Sequence, residues 1–175
     1  YNVLGISLGA IIALDFGINF KDNLNKLIIG GIPYYINEIG KAYIFETIRA
    51  FKESNMDIED YSRARIDAAF GKLATAEMKN FLVNLSSEMN LQAFISLGQA
   101  PAKYNLEGKF KQVSCKTLIV GGELDLIGPP AEMEKILNDI DNSEIHILKN
   151  TGHTFSLENP TEFNNKVMEF LFQMN

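Results

Sequence analysis

Apolar and polar positions follow two different periods along the chain. Short apolar runs bounded by glycine or asparagine predict buried strands at the start of the chain and over 26–33, 117–122 and 144–148. An apolar stretch over 8–16 predicts a helix with Gly17 as its C-cap. A strand, a helix and a second strand in close succession are typical of a βαβ unit, so we predict an α/β fold with a parallel sheet.

The stretch over 34–103 shows helical spacing only, and its apolar positions predict four helices. The second helix is expected to start at Asp57 or Asp60, with an inner face made of Tyr61, Ala69, Phe70 and Leu73. We expect Thr75 to cap the third helix, and Gly98 and Pro101 to end the fourth.

Four helices between two strands exceed what a simple crossover needs. We therefore expect a helical lid over 34–103, inserted in a core formed by 1–33 and 104–175. Methionine and phenylalanine side chains of this lid either line an apolar substrate cavity or only pack the helices together.

The remainder of the chain returns to alternating strands and helices. Pro129 and Pro130 suit the start of a helix after the strand over 117–122. A final helix is predicted to start with Asn159 as its cap, Pro160 in the first position and Glu162 reaching back. Its apolar stripe is predicted to consist of Phe163, Val167, Phe170 and Leu171.

Composition narrows the classes of function. The 175 residues suit one domain, and a formal net charge of −6 without a basic cluster argues against nucleic acid or an anionic membrane as a partner. We find no transmembrane span and no signal peptide. Cys115 is the single cysteine, which excludes an internal disulfide and indicates a reducing, cytoplasmic compartment. Abundant Ile, Lys and Asn are typical of an AT-rich bacterial genome.

A Gly-x-Ser-x-Gly pattern over 5–9 follows the first strand and opens the first helix. The pattern alone is weak, but a strand, a turn and a helix with serine at the apex are typical of a nucleophile elbow. Gly5 and Gly9 would leave room for a strained turn at Ser7. The backbone N–H of Leu8, at the helix start, would face a developing oxyanion.

A serine nucleophile needs a base and an orienting carboxylate. The chain has two histidines: His146 lies within the last strand, where a packed or surface role is favoured, and His153 follows that strand. Because active sites gather at the carboxyl ends of parallel strands, Ser7, Asp125 and His153 are expected to meet at one edge of the sheet. Their order along the chain, Ser, Asp and His, is the order typical of this kind of hydrolase sheet.

Alternatives remain for each residue. Asp125 would also suit the start of the turn before Gly128, and His153 would also suit an ordinary loop. Glu123 is a rival orienting acid, although it follows the strand more closely.

Three segments, over 5–9, 118–125 and 151–163, resemble the lid-bearing esterase, lipase and C–C hydrolase branch of the α/β hydrolases. The resemblance covers the C-terminal two-thirds of that fold. It implies Ser7 as nucleophile, His153 as general base and Asp125 as its orienting acid, without a metal or an organic cofactor. Serine at the elbow argues against the dehalogenase and epoxide-hydrolase branches, which place aspartate there.

The resemblance also implies that the first strands of the sheet, and the loop with the second oxyanion donor, are missing. Leu8 would then be the one remaining donor, and we expect this chain alone to be weakly active. The expected reaction is acyl transfer from a small, apolar, ester-like substrate. A ligand receptor with little turnover is a competing hypothesis, as are a C–C hydrolase, a thioesterase and a cofactor-free haloperoxidase. One cysteine and two separated histidines do not make a common zinc site.

Overall fold

A parallel sheet of four strands forms the centre of the molecule. The computed structural model describes residues 1–173. The strands are β1 (Asn2–Ile6), β2 (Lys26–Gly30), β3 (Lys116–Gly122) and β4 (Ser143–Leu148). They are hydrogen-bonded in the order β1-β2-β3-β4, each parallel to its neighbour. The predicted α/β fold with a parallel sheet is confirmed.

Helices cover both faces of this sheet. They are α1 (Leu8–Asn19), α2 (Glu38–Glu53), α3 (Ile58–Arg65), α4 (Ala76–Ser87), α5 (Leu91–Lys103), α6 (Pro130–Asp139), α7 (Phe155–Glu158) and α8 (Pro160–Phe172). Successive side chains of a strand point to opposite faces. Accordingly Leu27 and Ile29 pack into one core with α1 and α6, whereas Ile28 packs into a second core with α8. Burial on both faces explains why the central strands are apolar throughout.

Lys26 is a buried lysine in β2, only 5% exposed. Its Nζ donates hydrogen bonds of 3.0, 3.0 and 2.8 Å to the carbonyl oxygens of Phe170, Leu171 and Gln173. These carbonyls lie at the C-terminal end of α8, where a helix carries partial negative charge and needs donors. The lysine thereby fastens α8 to the sheet.

Four helices, α2 to α5, lie between β2 and β3, as predicted. Three of them, α2, α3 and α5, share a small core made of Ile48, Phe51, Ile58 and Ile95. The Thr75 cap is confirmed, since its side chain accepts a hydrogen bond from the Met78 N–H. The second of these helices starts at Ile58 with Asp57 as its cap, which is one of the two starts considered.

Two predicted helix ends are wrong. Helix α1 continues past Gly17 to Asn19, and a methyl group at Gly17 would lie 3.2 Å from the Leu24 side chain. Helix α5 continues through Gly98 and Pro101 to Lys103. At Gly98 an added methyl group would lie 2.7 Å from Ile48, so glycine allows α2 and α5 to approach closely there.

The inner face predicted for the second of these helices is also partly wrong. Helix α3 ends at Arg65, and a 3₁₀ turn over Ile66–Ala69 follows it. Ala69, Phe70 and Leu73 therefore lie outside α3, and Tyr61 alone of the predicted inner face belongs to it. The chain leaves the helix because residues 69–72 bond instead to the loop after β4.

At the C-terminal end the predictions hold. Helix α6 starts with Pro130, and Asn159 caps α8 by accepting a hydrogen bond from the Glu162 N–H. Three members of the predicted stripe, Phe163, Val167 and Phe170, are buried in the second core, and Leu171 packs against it.

Candidate active site

Ser7 stands on a strained turn between β1 and α1. Its φ of 57° lies in the left-handed region, where residues other than glycine are rare. The Ser7 N–H donates a 2.8 Å hydrogen bond to the Gly30 carbonyl and so continues the pairing of β1 with β2. A methyl group at Gly5 would lie 2.0 Å from the Gly9 carbonyl oxygen, so glycine is required at position 5. The turn has the geometry predicted for an elbow.

The crowding predicted at Gly9 is not observed. A methyl group added there would meet no atom of the described residues within 4 Å. The close approach of the Gly9 carbonyl to Gly5 therefore accounts for glycine at position 5, and no steric reason requires glycine at position 9. Leu8 is the first residue of α1, so its N–H is one of those that lack a partner within the helix.

Asp125 lies in the turn after β3 and is 2% exposed. Its Oδ1 accepts hydrogen bonds from the N–H groups of Ile127 at 2.7 Å and Gly128 at 3.1 Å. Its Oδ2 lies 2.9 Å from Nδ1 of His153. The two functions considered for this residue are thus divided between its oxygens, because one holds the turn and the other faces the histidine.

The ionisation of Asp125 reflects opposing effects. Burial by itself raises the pKa of the carboxyl group, because it disfavours the charged form. The hydrogen bond to His153, the charge of that ring and the two backbone donors favour the carboxylate. Together they outweigh burial and lower the pKa of Asp125 below its usual range.

His153 lies between Asp125 and Ser7. Its Nε2 is 2.9 Å from Oγ of Ser7, and its Nδ1 faces the carboxylate on the opposite side of the ring. Gly31, with a φ of 60°, lies beneath the ring, and a methyl group there would come within 3.0 Å of Cε1 of His153. The structure therefore brings the three predicted side chains into one hydrogen-bonded line.

The other candidates considered are engaged elsewhere. Glu123 accepts a 2.9 Å hydrogen bond from the Asn150 N–H with its Oε2 and is exposed. His146 pairs with Glu162, with 3.0 Å between Nε2 and Oε1. Neither residue contacts the line formed by Ser7, His153 and Asp125.

A cavity of about 510 Å³ opens above Ser7. Most of its lining is apolar and includes Ile11, Ile32, Pro33, Ile36, Ile44, Pro101, Leu126 and Ile127. Within the described residues no methionine or phenylalanine lines it, although both types were considered. Met89 and Phe94 line a neighbouring cavity of about 380 Å³. The two cavities share Tyr43, Ile44, Arg65 and Gly98 along their boundary.

Over residues 1–173, no group of three or more His, Cys, Asp or Glu side chains is arranged to hold a metal ion. None of the helices described for this chain is both long and apolar enough to cross a bilayer.

The sheet, the elbow and the surrounding helices together define an α/β-hydrolase fold, of which this chain covers part. The chain superimposes on an esterase from Exiguobacterium antarcticum with a TM-score of 0.86 and 22% identity, over 98% of this chain and 66% of that one. An enol-lactonase from Burkholderia xenovorans gives a TM-score of 0.82 and 16% identity, over 98% of this chain and 65% of that one.

Sequence comparison finds hydrolases as well. A 2-hydroxy-6-oxononadienedioate/2-hydroxy-6-oxononatrienedioate hydrolase from Escherichia coli is 28% identical over 184 aligned positions. The alignment covers 97% of this chain, and the chain spans 62% of the length of that relative. No protein-family model matches the sequence.

Proposed function

We propose that this chain carries the reaction centre of a serine hydrolase that cleaves an ester-like bond. The observation behind the proposal is the line of two 2.9 Å contacts that joins Asp125, His153 and Ser7 beneath an apolar cavity. In this scheme Ser7 is the nucleophile, His153 the general base and Asp125 the carboxylate that orients the base.

The reaction would proceed in two halves. Nε2 of His153 takes the proton from Oγ of Ser7 as that oxygen attacks the carbonyl carbon. The imidazolium then gives the proton to the leaving alcohol, which departs and leaves an acyl-enzyme. Water, deprotonated by His153, attacks the acyl carbon, and the acid is released as Ser7 regains its proton. Ionised Asp125 stabilises the imidazolium in both halves, and the Leu8 N–H holds the oxyanion.

A single oxyanion donor limits the rate of such a centre, since losing one donor typically costs about 10²–10³ in kcat. The relatives are longer than this chain, and we propose that a second donor comes from sequence outside it. On this proposal the chain alone is weakly active.

We propose further that residues 34–103 act as a lid on a core made of 1–33 and 104–175. Side chains from α2, α3 and α5 line the cavity above Ser7, which supports a role of this segment in substrate choice. The apolar lining favours a small apolar substrate. A cytoplasmic location is part of the proposal and depends on the single cysteine.

One residue favours a second candidate function, the hydrolysis of substrates that bear a carboxylate. Cleavage of a C–C bond is one reaction of this kind. Arg65 is the one charged side chain among the cavity-lining residues, and it forms no salt bridge with any described residue. Polar contact with Arg65, and its positive charge, hold the pKa of the neighbouring Tyr43 hydroxyl below its usual range. A guanidinium in the cavity lining suits a substrate carboxylate, and the Escherichia coli relative acts on a dioate.

Labelling with a fluorophosphonate, read by intact mass, tests the proposal directly. We expect a mass gain that disappears in Ser7→Ala and in His153→Ala. We expect a faster gain in a longer version that includes upstream coding sequence. A folded protein that takes no label in either length would contradict the hydrolase proposal and favour a ligand receptor. A panel of neutral esters, thioesters, carboxylate-bearing esters and vinylogous diketones then separates the substrate classes.

A further inference from the structure

The loop that carries His153 is held by a segment from between α3 and α4, residues 69–72, which we call the bridging segment. The Lys72 N–H donates a 2.6 Å hydrogen bond to the Asn150 carbonyl. The Thr154 N–H donates a 3.2 Å hydrogen bond to the Ala69 carbonyl, and Oγ1 of Thr154 lies 3.3 Å from the same carbonyl oxygen. The loop after β4 is thus bonded to the helical insertion as well as to the sheet.

Glu158 lies at the centre of this contact and is 5% exposed. Its Oε1 accepts a 2.8 Å hydrogen bond from the Gly152 N–H and a 3.0 Å hydrogen bond from Oγ1 of Thr154. Its Oε2 accepts a 2.8 Å hydrogen bond from the Gly71 N–H of the bridging segment. Gly152 and Thr154 flank His153, so one carboxylate holds both neighbours of the histidine and the bridging segment together.

The local backbone makes this arrangement possible. Helix α7 is a single turn that starts two residues after His153, and Glu158 at its end bonds back to Gly152 and Thr154. A methyl group at Gly71 would lie 2.5 Å from the Gly152 nitrogen, and one at Gly152 would lie 2.6 Å from the Phe70 carbonyl carbon. The two backbones touch, and burying a carboxylate there depends on the three donors that it receives.

We propose that Glu158 is a positioning residue for His153, and that the bridging segment couples the helical insertion to the orientation of the proposed base. This inference rests on the proposed function, in which His153 is that base. Glu158 has no hydrogen bond to Ser7 or to the His153 ring, so it acts through the backbone on either side of the histidine. A ring that must keep two 2.9 Å contacts at once tolerates little displacement.

The proposal can be tested by NMR of the imidazole N–H groups. The chain has two histidines, so the spectrum is simple and His146 provides an internal reference for His153. In the unaltered chain we expect a slowly exchanging, downfield Nδ1–H resonance from His153 hydrogen-bonded to Asp125. In Glu158→Ala this resonance should broaden or disappear, and fluorophosphonate labelling of Ser7 should slow at least about tenfold. Glu158→Gln retains one acceptor oxygen, as an amide carbonyl, and its labelling rate should lie between those of the unaltered chain and Glu158→Ala.

Glu162→Gln is the matched control, since it makes the same substitution four positions further on, at a residue that pairs with the other histidine. It should alter the His146 resonances and leave those of His153 and the labelling rate unchanged. A folded Glu158→Ala protein with the His153 spectrum and labelling rate of the unaltered chain would overturn the proposal.

If Glu158→Ala does not fold, Thr154→Val provides the test, because it removes the hydroxyl that bonds to Glu158 and keeps the bond from the residue 154 N–H to the Ala69 carbonyl. An unchanged His153 spectrum in that variant would again overturn the proposal, as would a missing Nδ1–H resonance in the unaltered chain. A different result would contradict the proposed function itself: the rate of fluorophosphonate labelling would then be the same in His153→Ala as in the unaltered chain.

Discussion

Nε2 of His153 lies 2.9 Å from Oγ of Ser7, although 146 positions separate the two residues in the sequence. The contact depends on the sheet register, which aligns the carboxyl ends of β1, β2 and β3. It also depends on the backbone hydrogen bond of 2.8 Å from the Leu124 N–H to the Thr151 carbonyl, which holds the loops after β3 and β4 side by side.

Removing either partner of this contact should abolish activated-serine chemistry. We expect Ser7→Ala and His153→Ala each to lower kcat/KM for an activated ester by roughly 10³-fold or more, with the double variant no worse than either single one. A panel of nitrophenyl esters measures this effect. His146→Ala is the control, and a loss of similar size there would show that the wrong histidine has been assigned.

Much of this site is predictable because its signals are local. The glycines around Ser7, the strands that end before Asp125 and His153, and the Asn159-Pro160 helix start each lie within a few residues of what they determine. Their meeting at one edge follows from a general property of parallel sheets. The fold class could therefore be predicted from the order of strands and helices along the chain.

The remainder depends on contacts between distant segments, which no local pattern displays. Glu158 belongs to the 151–163 segment that carries the family resemblance, but its partner Gly71 lies 87 positions away, so the sequence does not show this contact. Gly98 was expected to end a helix, but it lies within α5 and allows close packing against Ile48 of α2. Helix α5 runs through Pro101 to Lys103, although a proline there lacks the N–H that would bond to the carbonyl four residues back.

The strain at Ser7 leads to a prediction about stability. A residue held at this backbone conformation costs about 1–3 kcal/mol, and glycine removes most of that cost. We expect Ser7→Gly to raise the free energy of unfolding by about 1 kcal/mol while abolishing labelling. Ser7→Ala retains the strain and should leave stability nearly unchanged. Urea unfolding of both variants measures the difference, and equal stabilities would show that the turn is not strained.

Gly5 and Gly9 differ sharply in their surroundings despite their symmetric places in the elbow. A methyl group at Gly5 would lie 2.0 Å from a backbone oxygen that has no room to move, so we expect Gly5→Ala to cost more than about 3 kcal/mol or to prevent folding. Gly9 lies in the first turn of α1 with open space beside it, so Gly9→Ala should be neutral or stabilise by up to about 1 kcal/mol. Thermal unfolding of Gly5→Ala and Gly9→Ala measures the difference. Equal losses of stability in the two variants would contradict the prediction.

The lowered pKa of Asp125 predicts an acid-dependent loss of stability. A carboxyl group with a lower pKa in the folded chain than in the unfolded chain stabilises the fold at pH values above its unfolded pKa, which is about 3.9. That contribution is lost as the pH falls through the lower, folded pKa. Asp125→Asn should therefore unfold more readily than the unaltered chain at neutral pH, and the difference should shrink below about pH 4. Urea titrations from pH 2.5 to about 7 test this, and a gap that persists in acid would contradict it.

Arg65 offers a test of substrate charge with a matched control on the same helix. Arg65→Gln removes the one charged side chain that lines the cavity, whereas Arg63→Gln removes a guanidinium that pairs with Glu59 at 2.8 Å and lies outside the cavity lining. Because Arg65 is exposed, its attraction for a substrate carboxylate is screened by water, and we expect a modest effect. Arg65→Gln should lower kcat/KM for a carboxylate-bearing ester about 3–10-fold relative to the neutral ester of equal length, mainly through KM. Arg63→Gln should leave that ratio unchanged. Equal losses on both esters would indicate that Arg65 supports the cavity wall, and the substrate would then be neutral.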